Sequence, residues 1–328
     1  DQAADYRETS ELRALRVRAQ AALDQLDGAL RLSYKPAYSA AQLPSLQISR
    51  LVSIGSDLYL LDQASGAVLR MVPTGTGYSL DLDFKCAPGV VDGIQVGDLV
   101  EVLAVPINNA AKAPIFALDG AGHGLFCQAK KDPTAINLIL PDSGLGKLQS
   151  AFYDAGRLFV LDPLKNALWI YRGANMDYTT PPDSYFEGMS VNLATAVAAA
   201  GSGEELFILF ANGQTERCLA SNVTGLVSCE NPFPYVDARN NPTSQLDFGT
   251  LHFSQLAYSP PPDPSLYYLE AERAELYQFS LRLNLNRILR AEAGSGSLPQ
   301  KAATAFTVST NRVVFLAFGN ELYSAALP

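Results

Sequence analysis

LFVLDPLKNALWIY, residues 158–171, is one of six versions of a single pattern. An apolar run leads into Leu-Asp, a short polar turn follows, and an apolar run resumes. The earlier versions are LYLLDQASGAVLRM (58–71) and PIFALDGAGHGLFCQA (114–129). The later ones are LFILFANGQTERCL (206–219), LYYLEAERAELYQF (266–279) and VVFLAFGNELYSAA (313–326). The acid is Asp62, Asp119 and Asp162, becomes Glu270, and gives way to Phe210 and Ala317. Two β-rich runs around a cluster of turn formers predict a hairpin in every copy.

Working outward, the corner leucines Leu61, Leu118, Leu161, Leu209, Leu269 and Leu316 are separated by 57, 43, 48, 60 and 47 residues. Strand-only repeats of about 40 to 50 residues are what four-stranded propeller blades require. A short inner strand is expected before each hairpin: ISRLVSI (48–54), LVEVLAV (99–105), LQSAFY (148–153), TAVAAA (195–200), FSQLAY (253–258) and TAFTVS (304–309). Outer strands are expected at YSLDLDF (78–84), INLILP (136–141), MDYTT (176–180), GLVSC (225–229) and LNRILR (285–290). The sixth repeat ends without one, so residues 30–37 (LRLSYKPA) are expected to complete the last sheet and remove its open edge. The fold class is therefore all-β: a six-bladed β-propeller over residues 30–328, closed by an N-terminal strand and preceded by one α-helix.

A recurrent acid can resemble a metal ligand. One turn per blade around a ring, however, keeps Asp62, Asp119 and Asp162 too far apart to share an ion. Their expected task is to accept backbone N–H bonds and fix the turn. Asn212-Gly213 and Gly319-Asn320 build the turns that lack the acid.

The helix is expected over residues 5–27. Asp5 with Glu8 resembles a capping box, and Gly28 stands where a left-handed residue stops a helix. Leu12, Leu15, Ala19, Ala22, Leu26 and Ala29 step by threes and fours, a heptad seam. Residues 1–29 thus form either a helix lying across the β domain or a stalk. In a purely spacer role they would support dimers lost on deleting them.

Composition narrows the function. Of 328 residues, 48% are hydrophobic and 17% charged, enough for a large core. A net charge of −9 without a Lys/Arg cluster argues against nucleic-acid partners. The longest apolar runs fall short of the roughly 20 residues that span a bilayer. Membrane attachment is expected only through a segment upstream of Asp1. Four cysteines form an even set. Cys218 and Cys229 flank a turn at equal distance and would face each other in a hairpin, leaving Cys86 and Cys127 to pair by elimination. The alternative is buried thiols in a reducing compartment. Asn222-Val-Thr224 matches a glycosylation sequon on the same turn.

The strand, Leu-Asp, turn, strand pattern resembles the six-bladed propellers of the NHL- and YWTD-repeat type, although no blade carries a full YWTD tetrapeptide. That resemblance implies fold and a binding rim, and transfers no catalytic residue. A helix leading into a propeller also resembles the extracytoplasmic part of bacterial membrane-anchored signalling proteins. Likeness to gluconolactonase propellers implies the alternative, a metal-dependent lactonase-like hydrolase with an axial ion; Glu101, Asn192 and Asp247 are the candidate ligands.

No catalytic set, metal site or cofactor motif emerges from the residues themselves. His123 and His252 have no ligand partner at helical or hairpin spacing. Gly294-Ser295-Gly296-Ser297 reads as a flexible loop, and Gly120, Gly122 and Gly124 as a hairpin turn. Two insertions carry the binding expectation: TPPDSYFEGMSVN (180–192) and ENPFPYVDARNNPTSQLDF (230–248). Tyr185, Phe186, Phe233 and Tyr235 are expected either to contact a protein, peptide or glycan on one rim, or to pin the loops to the blades. The expected role is an extracytoplasmic binding or sensor module without catalysis of its own.

Overall fold

A sheet whose strands are apolar on both faces must be covered twice, and a ring of such sheets lets each cover its neighbours. The second strand of every repeat has this character. Asp57–Asp62, Ile115–Asp119, Arg157–Asp162, Glu205–Phe210, Ser265–Glu270 and Val313–Phe318 are buried at nearly every position. The computed structural model describes residues 9–39, 41, 43–202, 204–221, 226–239, 246–260, 263–292 and 298–328. They form a six-bladed β-propeller.

Each blade is built on four antiparallel strands, with the inner strand at one end of the strand order. The inner strands are Ile48–Ile54, Leu99–Ala104, Ser150–Asp154, Ala196–Gly201, Phe253–Ser259 and Ala305–Val308. Six apolar clusters fill the six spaces between neighbouring blades, including the junction of blade six with blade one. There Phe315 and Ala317 meet Leu58, Leu60 and Met71.

Ring closure uses the N-terminal segment twice. Strand β1 (Ala29–Leu32) lies parallel to Leu285–Ala291 as a fifth strand of blade five, and strand β2 (Lys35–Tyr38) pairs antiparallel with Glu321–Ala326 of blade six. The expected closing strand is thus split between two blades. Tyr34, between the two halves, is 3% exposed in the core of blades five and six.

The outer strand expected at 176–180 is displaced to Asp183–Ser184, which pairs with Ile170 and Trp169. Asn175, Met176 and Tyr178 adopt left-handed backbone angles that interrupt an extended ladder. Met176 and Tyr178 are instead buried between blades two and three. A small hairpin, Gly89–Val91 with Ile94–Val96, is inserted between blades one and two.

The Leu-Asp corners are tied as expected. Asp162 is fully buried and accepts bonds from the backbone N–H groups of Gly146, Lys147 and Lys165, and from the Trp169 indole at 3.4 Å. It thereby joins its own turn to the connection that enters blade three. Asp119 similarly accepts from Gly97, Ala121 and His123 backbone N–H groups, and Asp62 from Gln47 and Ala64. Asp162→Ala strands several donors at once, and bonds to a charged group contribute about 1.5–3 kcal/mol each. A loss of about 3 kcal/mol by urea denaturation is the expected outcome; a loss below about 1 kcal/mol would show the corner to be dispensable.

Both disulfides form, Cys86–Cys127 and Cys218–Cys229. The first ties the inserted segment to blade two, and the second joins neighbouring strands of blade four at directly opposed positions. Helix α1 (Ser10–Leu26) is capped by the Thr9 side chain, which accepts from Leu12 N–H, and is followed by Gly28 at φ +59°. No helix among the described residues is long and apolar enough to cross a membrane. Asp5 and Glu8, the Asn222 sequon and the loop at 294–297 lie outside the described residues.

Candidate functional site at the axial channel

The corner leucines set a common level around the axis. Opposite Leu61, Leu118, Leu161, Leu209 and Leu269 on the inner strands stand Arg50, Glu101, Ser150, Ala198 and Gln255. Phe306 stands opposite Leu316 and completes the ring of six. These positions lie near the starts of the inner strands, on the face where residues 185–193 and 246–251 lead into blades four and five.

An inner strand has hydrogen-bonded neighbours on one side only, so its other edge requires polar partners at the axis. Side chains of this level supply them. The Glu101 carboxylate accepts from the N–H of Val102 in its own blade and of Ala151 in blade three. Ser150 Oγ accepts from Ala199 N–H in blade four, and Gln149 donates to the Val197 carbonyl. Gln255 donates to the Thr304 carbonyl of blade six at 2.8 Å. Arg50 reaches furthest: its Nε is 3.5 Å from Glu101 Oε1, and it donates to the Gln149 carbonyl of blade three.

The pair is unequal in its environment. Glu101 is buried, and desolvation raises its pKa, an effect opposed by Arg50 and the two amide donors. The Arg50 side chain keeps 30% of its exposure, so the cation, not the acid, meets whatever enters.

A cavity of about 300 Å³ spans this level and continues along the axis. Val52, Phe152, Val197, Leu256 and Ala257 line it, with Tyr153 and Tyr258 toward the opposite end. Blade four contributes Ala198, Ala199, Ala200 and Gly201, whose small side chains leave the space open. A cavity with an apolar wall and a few fixed polar groups suits a small organic ligand.

The four aromatics expected to form a recognition surface sit in two separate clusters. Tyr185 and Phe186 are 5% and 4% exposed in the core between blades three and four, with ring centroids 5.0 Å apart. Burial pushes the Tyr185 phenol up to about 12. Tyr235 donates to the Gly213 carbonyl and accepts from the Thr215 hydroxyl, while Phe233 lies 5.0 Å beneath the Arg217 guanidinium. All four rings secure their loops to the blades.

Each of the residues named as a candidate ion ligand is engaged within the protein. Glu101 is engaged by Arg50 and two amides, whereas Asn192 accepts from Ala194 N–H and Asp247 caps the Phe248–Thr250 turn. Among the described residues, the closest His, Cys and carboxylate grouping is Glu216 with Cys218 and Cys229. Its sulfurs are joined in a disulfide and offer no thiolate. His123 Nδ1 is 2.7 Å from Asp119 Oδ2 at the corner of blade two, and His252 is exposed just before the inner strand of blade five. Arg50, Gln149, Ser150 and Gln255 were not singled out from the sequence; the signal for three of them was a polar residue near the start of an apolar inner strand, opposite a corner leucine.

No protein-family model matches the chain, nor does any curated protein sequence. Solved structures do share the fold. A streptogramin B lyase aligns with TM-score 0.57 at 10% identity, covering 92% of this chain and 99% of that one. A luciferin-regenerating enzyme aligns with TM-score 0.54 at 11% identity, over 90% and 95%. A catalytically inactive virginiamycin B lyase from Staphylococcus aureus, solved with quinupristin, aligns with TM-score 0.52 at 8% identity, over 91% and 100%. At such identities the likeness is one of fold.

Proposed function

We propose that this chain is an extracytoplasmic binding propeller that takes a small ligand into the axial cavity from the face bearing Arg50. The observation that carries this reading is the coexistence of a cavity of about 300 Å³ with a partly exposed guanidinium at its entrance. Glu101 and the Gln149 carbonyl fix that cation in place, so little side-chain freedom is lost on binding. The segments 180–192, 230–239 and 246–248, anchored by Tyr185, Phe186, Phe233 and Tyr235, lead to the same face and would set access for a ligand or a protein that presents one. Two disulfides support an oxidising compartment. What supports a binding or sensing role is that Glu101 is tied into the wall by Arg50 and two amides, and that the Ser150 hydroxyl is engaged by Ala199 N–H.

A small-molecule thermal-shift screen on the chain and two variants tests the reading. Val197→Trp fills the cavity, and Arg50→Ala removes the cation. A ligand at a hundred times its Kd adds about 2.7 kcal/mol to the native state. The stabilisation is expected to disappear in Val197→Trp and to weaken at least about tenfold in Arg50→Ala. Stabilisation that survives both variants would place binding elsewhere and overturn the axial reading.

A further inference from the structure

Helix α1 docks on the propeller with the wrong side for an ordinary amphipathic helix. The side that touches the β domain is polar. Asp24 is buried and accepts from Arg31 Nε, Arg31 Nη2 and Gln20 Nε2, and the Asp27 carbonyl accepts from Arg239. The apolar seam Leu12, Leu15, Ala19, Ala22, Leu26 is elsewhere. At about 100° per residue, Asp24 lies roughly 160° around the helix from the centre of that seam. Leu15 is accordingly 63% exposed, Leu26 37%, and Leu23 beside the seam 47%; Ala19 and Ala22 are exposed as well. A surface helix normally turns its apolar stripe toward its own domain. A lone helix of 17 residues is also marginal in water without tertiary packing.

We propose that the seam is the contact surface for a second copy of this chain, forming a short parallel two-stranded coiled coil that projects from blade five. A heptad seam is complementary to itself, which makes an identical helix a fitting partner. Charge selects the direction. With Leu12, Ala19 and Leu26 at the a positions, Glu11 and Arg18 occupy g and Arg16 occupies e. In a parallel pair in register, Glu11 of each copy faces Arg16 of the other, giving two attractive contacts. An antiparallel pair centred on Ala19 instead sets Arg18 against Arg18. Ala19 and Ala22 allow close approach at the middle of the seam. The docked face, held by Asp24 and Arg31, stays on the outside of such a pair, so dimerisation leaves the propeller contacts intact.

Sedimentation equilibrium of the full chain over a concentration series tests this proposal. A monomer–dimer equilibrium is expected for the wild type. Leu15→Glu should weaken it at least about tenfold, a factor that corresponds to 1.4 kcal/mol. Because Leu15 is exposed, the thermal melt of the propeller should not change. Glu11→Arg should weaken association, and adding Arg16→Glu should restore it. Leu12→Cys should give a disulfide-linked dimer, since a parallel register brings this position to its own symmetry mate. A monomer at every concentration, or a dimer indifferent to Leu15→Glu, would overturn the proposal. Cross-linking of Leu12→Cys to Leu26→Cys in place of Leu12→Cys to itself would overturn the parallel register.

Discussion

Deleting residues 9–38 is expected to abolish the cooperative unfolding transition of the propeller, whereas deleting residues 9–26 leaves its midpoint nearly unchanged. The longer deletion removes both latching strands. Blade six is left with three strands and an open edge at Glu321–Ala326, and blade five loses the strand paired to Leu285–Ala291. Leu32, Tyr34 and Tyr38, exposed by 2%, 3% and 6%, leave the cores on either side of blade six. Burial of one such side chain contributes about 1.5–3 kcal/mol. Three together approach the whole stability of a typical domain, about 5–15 kcal/mol. The shorter deletion takes only the helix, whose described attachments to the β domain are polar and confined to its last turns. Urea unfolding followed by tyrosine fluorescence and by far-UV circular dichroism distinguishes the two. An unchanged midpoint for the longer deletion would mean that the ring does not depend on its latch.

Replacing Cys86 and Cys127 by serine is expected to cost more stability than replacing Cys218 and Cys229. Cys86 and Cys127 are 41 residues apart, and Cys218 and Cys229 only 11. Loop-closure entropy gives about 4 kcal/mol for the long loop and about 3 kcal/mol for the short one. Packing widens the difference. Cys86 and Cys127 are 2% and 0% exposed within the apolar cluster between blades one and two, where serine hydroxyls would need partners. Cys229 is only half-buried, in the outer strand of blade four, which pairs with Thr215–Ala220. Thermal melts of the two double variants, compared with the oxidised wild type, check the order. The reverse order would show that the inserted segment at 84–96 is held by its own contacts and not by the cross-link.

Much of the architecture was legible because hydrophobic burial is written locally. A strand covered on both faces must be apolar throughout, and each of the six hairpins carries that run. The outer strand of blade three was not legible. MDYTT has the composition of a strand, yet Asn175, Met176 and Tyr178 enter left-handed conformations so that Met176 and Tyr178 can fill the space between blades two and three. Nothing in those five residues specifies that neighbour. The aromatics of the two insertions show a similar limit. Contact chemistry and anchoring use the same residue types, and only the location of the neighbouring core decides that Tyr185 turns inward.

The candidate site divides along the same line. Sequence alone determined six hairpins, their corner acids, a closing segment near residue 30 and the heptad seam, because each depends on the spacing of residues along one strand, turn or helix. Tertiary structure decided that Arg50, Glu101, Ser150 and Gln255, drawn from four blades, share one level at the axis, and that the seam of the helix faces away from the propeller. The physical reason is that a side chain's covalent neighbours set its local backbone, whereas the groups that can pair with it across a channel arrive from segments up to about 200 residues away and meet only when the ring closes.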